Sequence, residues 1–247
     1  MGNPGLIPMR KVGREKFSTG SRGPILQYIH VGKCAGRSLW EAIKVSPVVS
    51  ARFSVVHKVH VRRPTRRRAD RYLIAVRNPI SRALSAFNWR YWLVVETENQ
   101  ASRFPNEMRI LRYYGNLNNL ATGLYLSSGE LDEAVARDFL SIHHLRENID
   151  FYLGTLLPKI DASQIFGVVT TEFLAEESSA LLGVDDLQRI HSHAPRVPNL
   201  MKNLDEGATR NLRRFLRPDF LVLEKLSEMV AMSNHSRTAL LGQAQNV

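Results

Sequence analysis

Between the thirtieth and thirty-eighth positions the chain reads His30-Val31-Gly32-Lys33-Cys34-Ala35-Gly36-Arg37-Ser38. Small residues let a backbone approach a ligand closely, and the exposed N–H groups and dipole of a helix start favour an anion. Lys33 adds a mobile positive charge and Ser38 a hydroxyl donor, so Lys33, Cys34, Ala35, Gly36, Arg37 and Ser38 form a candidate phosphate-binding turn. The lysine stands five residues before the serine, whereas a Walker A loop ends in Gly-Lys-Ser/Thr. That argues against an ordinary kinase or NTPase. A second group, Arg77-Asn78-Pro79-Ile80-Ser81-Arg82-Ala83-Leu84-Ser85, offers a guanidinium that can bind a phosphate through two parallel hydrogen bonds and a hydroxyl two helical turns along. Arg77 and Ser85 are its candidate ligands.

The elements that must position these groups are legible in the hydrophobic pattern. Ile25 to Val31, Phe53 to His57, Tyr72 to Val76 and Gln164 to Val169 are short apolar runs rich in β-branched and aromatic residues, which predicts four buried strands. Strands apolar on both faces imply a parallel sheet covered by helices. Helices are expected from Ser38 to Ile43, from Pro79 through Tyr91 with Pro79 in its first turn, and from Thr171 to Leu182. The stretch from Phe104 to Pro158 reads as helix-rich, and Asp205 to Met232 as two helices broken at Pro218. Trp89 and Tyr91 read as packing residues. Residues 1–23 read as a flexible arm, 24–233 as one domain, His191 to Asn199 as a loop, and 234–247 as a frayed tail. The class predicted is α/β: a P-loop-like parallel β-sheet flanked by helices, with a helix-rich middle and C-terminal part.

At 247 residues, with 44% hydrophobic and 23% charged side chains, the chain can bury a core without disulfides or metal. One cysteine, Cys34, allows no internal disulfide and is compatible with a reducing cytoplasm. No apolar run is long enough to span a bilayer, and Met1 to Gly23 lacks the core of a signal peptide, so a soluble, cytoplasmic protein is expected. The net charge is +11, and eleven basic residues against the single acid Asp70 lie between Arg52 and Arg90. Such a region favours a polyanion or an anionic small molecule. Arg62, Arg66, Arg67 and Arg68 are its candidate substrate contacts, although the Arg66-Arg67-Arg68 run can equally be a solvated loop.

The two motifs together resemble the PAPS-dependent sulfotransferases, in particular the carbohydrate branch (heparan-sulfate-2-O-like and bacterial polysaccharide enzymes). His30, Lys33, Gly36 and Ser38 match its His-x-x-Lys-x-x-Gly-x-Ser/Thr turn, and Arg77 to Ser85 match its Arg-[Asp/Asn]-Pro-x-x-Arg-x-x-Ser signature. Arg37 stands where many relatives carry a small residue. The resemblance implies PAPS as donor, its 5′-phosphosulfate on Lys33, Gly36, Arg37 and Ser38, and its 3′-phosphate on Arg77 and Ser85. Lys33 would neutralise charge on the leaving phosphate oxygen, and the sulfuryl group would pass in line to a carbohydrate hydroxyl.

Such a transfer needs a base, and a neutral imidazole suits that task near pH 7. His57 and His60, twenty and seventeen residues before Arg77, are the candidates, with His60 preferred. His143, His144, His191 and His193 have no comparable placement. No metal-ligand cluster is read in the sequence, so no metal is expected. An anionic glycan or polysaccharide acceptor suits the basic region. The alternative is a non-catalytic nucleic-acid-binding protein that uses Arg62 to Arg71 on phosphates, which explains the charge but not the two motifs.

Overall fold

A computed structural model describes residues 15–184 and 203–242 of the chain. Its centre is a five-stranded sheet in the order β1-β3-β2-β4-β5, formed by β1 (Lys16–Ser18), β2 (Ile25–His30), β3 (Val55–Val59), β4 (Arg71–Val76) and β5 (Ile165–Thr170). The last four are mutually parallel where they pair. From Leu26 to Ile29 and from Tyr72 to Val76 the strand residues that pack into the core are almost completely buried, as expected for strands covered by helices on both faces. The register pairs Ile29 with Val59, His30 with Ala75 and Val76 with Thr170. The carboxyl ends of β2, β3, β4 and β5 therefore finish along one edge of the sheet, and the turns that follow them meet there.

Chain order reverses around β2, since β3 lies on one side of it and β4 on the other. In open α/β sheets the crevice outside the carboxyl ends at such a point is where ligands bind. Helix α1 (Gly36–Val45) leaves β2, α2 (Pro47–Arg52) follows it, and α3 (Pro79–Tyr91) leaves β4, continuing into a π-helical turn at Trp92–Glu96. The middle supplies α4 (Glu107–Tyr114), α5 (Leu117–Thr122), α6 (Glu133–Ser141) and α7 (Ile149–Leu153). After β5 come α8 (Leu174–Leu182), α9 (Glu206–Phe215), α10 (Arg217–Met229) and α11 (Asn234–Leu241). One apolar cluster joins the sheet to α1, α7, α8 and α10, and a second joins α3 to α4, α5, α6 and α9. Among the described residues no helix is long and apolar enough to cross a membrane.

Three expectations change. The sheet is mixed, because β1 pairs antiparallel to β3, and β1 lies inside the stretch expected as a flexible arm. Three residues hold there because Phe17 packs edge-on against Trp40 with ring centroids 5.5 Å apart and the backbone of Glu15 accepts the Lys58 N–H at 2.9 Å. The expected frayed tail contains α11, capped by the Ser233 hydroxyl on the Ser236 N–H at 3.1 Å and anchored by buried Leu240. The expected loop from His191 to Asn199 lies outside the described residues, as do His191 and His193.

Asn78 carries a disproportionate part of this assembly. Its side-chain oxygen accepts the N–H groups of Ile80 and Ser81 at 3.0 and 3.2 Å, capping α3, while its amide donates to the Leu240 carbonyl of α11 at 2.9 Å. Asn78→Ala should lower the unfolding free energy by about 1–2 kcal/mol. Asn78→Ser, which keeps a capping oxygen and loses the donor to Leu240, should lose less. Denaturant titration of the three proteins checks this, and equal stabilities would remove the cap from the account.

Candidate functional site

The turn after β2 is shaped by two left-handed residues, Lys33 at φ 71° and Ala35 at φ 52°. Such a conformation is unfavourable for residues with a Cβ by roughly 1–2 kcal/mol each. Ala35 occupies the position before α1, no side chain caps that helix, and its first turn holds no acid. Gly36, Arg37 and Ser38 in that turn face the cleft described below. The Tyr28 hydroxyl donates to the Gly36 carbonyl at 3.1 Å and so fixes the helix start. Gly36 has no room for a side chain, because a Cβ there would run into the His30 imidazole, and a Cβ on Gly32 would stand 2.8 Å from His144 Nδ1. The two glycines are required by close approach.

A cleft of about 330 Å³ opens at the carboxyl edge of the sheet. Lys33, Ala35, Gly36, Arg37 and Ser38 line it from the turn, Arg77, Ser85 and Trp89 from the end of β4 and from α3, and His60 from the end of β3. The two sequence groups, some forty residues apart, thus share one cavity. Ser85 and Trp89 are one helical turn apart on α3 and present the same face. Arg77 stands 4.0 Å from the Glu172 carboxylate through Nε, an atom that is buried without a hydrogen-bond partner. Lys33 Nζ lies 4.6 Å from the centre of the Trp89 ring. Burial, with Arg77 next in weight and Arg82 also contributing, lowers the Lys33 pKa to about 8. Positive charge is therefore already crowded before any anion arrives.

The cleft also gathers imidazoles. His60 stacks on His30 with centroids 4.1 Å apart and planes 14° from parallel, and its Nδ1 lies 3.1 Å from the His30 carbonyl oxygen. His144 lies 6.0 Å from His60 between centroids. Burial lowers the pKa of His60, and lowers those of His30 and His144 further, so all three are neutral at pH 7. A carbonyl can only accept, so His60 carries its proton on Nδ1 and leaves a lone pair on Nε2.

Several sequence candidates lie elsewhere. His57 is three residues before His60, and in a strand, where side chains alternate, that spacing places them on opposite faces. His57 lines a separate small cavity of about 90 Å³ with Gln27, Arg62, Arg63 and Arg67. Arg66 and Arg68 are exposed and line neither cavity. Cys34 is buried in the core, its thiol pushed up to about 12 mainly by burial, so it contributes packing and not a ligand group. Arg82 and Arg90, counted in the basic region, are internal. Arg90 makes a two-bond pair with Glu107 at 2.8 and 2.7 Å, and Arg82 donates to the carbonyls of His144 (2.7 Å) and Glu147.

Sequence reasoning missed His144, Thr171 and the exposure of Trp89 to the cleft. Thr171 follows the last strand and its hydroxyl donates to the Val76 carbonyl at 3.1 Å; a position just past a predicted strand end was the available signal. His144 had none, because its loop reaches the cleft from the helical middle. The fold also assembles a cluster not foreseen in sequence: His143, His144 and Glu147 place one potential metal-ligand atom each within 4.8 Å of one another. Its carboxylate is already bound by Arg146 at 2.9 and 2.8 Å and by the His144 N–H at 2.9 Å. Arg90 and Arg103 also lie in the field of His143. That surround opposes a cation.

Gly36→Ala should displace the His30 ring and cost roughly 1–3 kcal/mol of stability by overpacking, together with the stabilisation of the melting transition by inorganic pyrophosphate. Gly123→Ala, where a Cβ meets only ordinary contacts at 3.6 Å, should leave that stabilisation intact. Paired thermal melts with and without pyrophosphate decide, and a Gly36→Ala protein that still responds like wild type would contradict the role of the turn.

Compared with known proteins, the chain matches no protein-family model, no curated protein and no solved structure.

Proposed function

We propose that the chain is a PAPS-dependent sulfotransferase on a P-loop-like sheet, moving a sulfuryl group to a hydroxyl of an anionic glycan or polysaccharide. The observation that carries this reading is the convergence of Lys33, the uncapped start of α1, Arg77, Ser85 and the imidazole of His60 on one cleft. Two anion-binding ends and a neutral base are what transfer from a doubly phosphorylated nucleotide to an alcohol requires. The donor supplies the activated sulfuryl group. Lys33 and the α1 N-terminus hold its phosphosulfate, while Arg77 and Ser85 hold its 3′-phosphate. His60 takes the hydroxyl proton at Nε2 as the acceptor oxygen attacks sulfur. Lys33 meets the negative charge that grows on the departing phosphate oxygen. His57 sits with Arg62, Arg63 and Arg67 in a separate cavity, so a long anionic acceptor whose hydroxyl reaches His60 would meet these arginines only farther along its chain.

Non-catalytic binding of nucleic acid accounts for the exposed arginines but leaves the buried imidazoles beside the turn without a use, so it is the weaker reading.

Two measurements test the proposal. Calorimetry should show adenosine 3′,5′-bisphosphate binding roughly tenfold to a hundredfold more tightly than adenosine 5′-monophosphate, and Arg77→Ala should erase most of that difference. Equal affinity in the wild type would overturn the assignment of the 3′-phosphate site. With labelled PAPS and a panel of glycans, kcat/KM should be bell-shaped in pH. Lys33 must be charged, so activity falls as pH rises through about 8. His60 must be neutral, so activity falls as pH drops through a value below the usual 6.5. His60→Ala should abolish transfer with nucleotide affinity kept, and His57→Ala should spare the chemical step; the reverse pattern would move the base to His57.

A further inference from the structure

His144 lines the cleft, and nothing in the transfer just described uses it. Its backbone is left-handed at φ 69°, an unfavourable state for a residue with a Cβ that persists only where neighbours over-determine it. Those neighbours are present. The His144 N–H donates to Glu147 Oε2 at 2.9 Å, and its carbonyl accepts from the buried Arg82 guanidinium at 2.7 Å. The ring is pressed against Gly32, where even a methyl group would stand 2.8 Å from Nδ1. Strain is being spent to aim one ring into the cavity.

Its protonation follows from the same contacts. Nδ1 is buried with no hydrogen-bond partner and lies over a glycine Cα. A bare lone pair against C–H groups is less costly there than an N–H with nothing to accept it. The proton therefore sits on Nε2, the ring nitrogen left to the cleft. His60 is the reverse, with its proton on Nδ1 toward the His30 carbonyl and a lone pair on Nε2. The two rings lie 6.0 Å apart and tilted by 32°, one offering the cavity an acceptor and the other a donor.

Resting on the sulfuryl-transfer reading, we infer that His144 is a catalytic hydrogen-bond donor whose Nε2–H holds a sulfuryl oxygen while His60 removes the acceptor's proton. The acceptor's O–S bond forms as the bridging S–O bond breaks. The electron pair of the broken bond goes to the 5′-phosphate of the departing adenosine 3′,5′-bisphosphate, and the hydroxyl proton goes to His60 Nε2. His144 keeps its proton throughout. A neutral donor aimed at an oxygen whose charge shifts during transfer acts by differential stabilisation, as fixed donors do in oxyanion holes.

The first test needs no substrate. Long-range ¹⁵N–¹H correlation of the histidine-labelled free protein at pH 7 should show His60 protonated on Nδ1 and His144 on Nε2. A His144 ring carrying its proton on Nδ1, or on both nitrogens, overturns the assignment. In the second, His144→Ala should lower kcat by about 10²–10³-fold with bisphosphate affinity unchanged within about threefold. His144→Asn, which tolerates the left-handed backbone and restores an N–H donor, should recover part of the loss. Unchanged kcat in both variants overturns the proposal; if the alanine variant does not fold, the asparagine variant and the tautomer decide. A wild-type protein that binds no bisphosphate and transfers no sulfuryl group would instead overturn the sulfotransferase reading and this role with it, whereas transfer that is retained in both His144 variants overturns the role alone.

Discussion

The guanidinium of Arg82 is almost entirely out of water, at 1% exposure, and the cleft is arranged around it. From α3 it donates to the carbonyls of His144 and Glu147, tying the helical middle to the helix that leaves β4. Both carbonyls are met by Nη2, while Nε is buried without a partner; losing either carbonyl would leave a further buried donor unpaired, so the loop that supplies them has little freedom to move away. The buried carboxylate of Asp219 lies in its field and accepts the N–H groups of Ile149 and Asp150 at 3.3 and 2.9 Å, which closes the start of α7. Removing Arg82 would leave two inward carbonyls unpaired and free His144 from one of its two holds. The second arginine of the Arg77-to-Ser85 group is thus a fastener that sets where the cleft-lining side chains stand.

The same charge acts on the turn. Arg77 and Arg82 both weigh against the Lys33 ammonium, after burial itself, so the cleft holds more positive charge than nearby carboxylates balance. Glu172 offsets only part of it from 4.0 Å. An anion entering here removes repulsion and gains charge-assisted bonds, and the cost of assembling the cations has been met during folding by the two apolar clusters. The left-handed Lys33, Ala35 and His144 belong to the same exchange, in which backbone strain is accepted around the cavity and offset by packing elsewhere.

The parts of this design that were legible in sequence are those encoded by local pattern. Tyr72 to Val76 is apolar throughout and became β4 with one residue added at its start; Asn78-Pro79 announced the start of α3, and Pro218 fell in the first turn of α10. Lys16-Phe17-Ser18 has no such pattern, and its strand exists because Phe17 meets Trp40. Asn234 to Thr238 is polar, and α11 exists because Leu240 finds the core and Asn78 finds its carbonyl. Tertiary contact decided both against local preference. Charge was the least legible quantity, since Arg82 and Arg90, counted in the basic region, are buried, while the Arg66-Arg67-Arg68 run, read either as substrate contacts or as a solvated loop, is exposed.

The choice between His57 and His60 illustrates how far a simple rule could have gone. Side chains alternate along a strand, so residues separated by an odd number face opposite ways. Gln27 pairs with His57, and Tyr28 with Lys58, in the register of β2 and β3. Tyr28 is on the face of His30, with which its ring is nearly parallel at 5.9 Å, and Lys58 lies over Trp40 on that same face. His60, two residues after Lys58, must then join His30, and His57 must join Gln27 behind the sheet. Parity alone thus separates the two histidines once His30 is accepted as the start of the turn. No comparable rule reaches His144, which lies more than a hundred residues after the turn it faces and is placed by one hydrogen bond to Arg82 of α3 and one to Glu147 of its own loop.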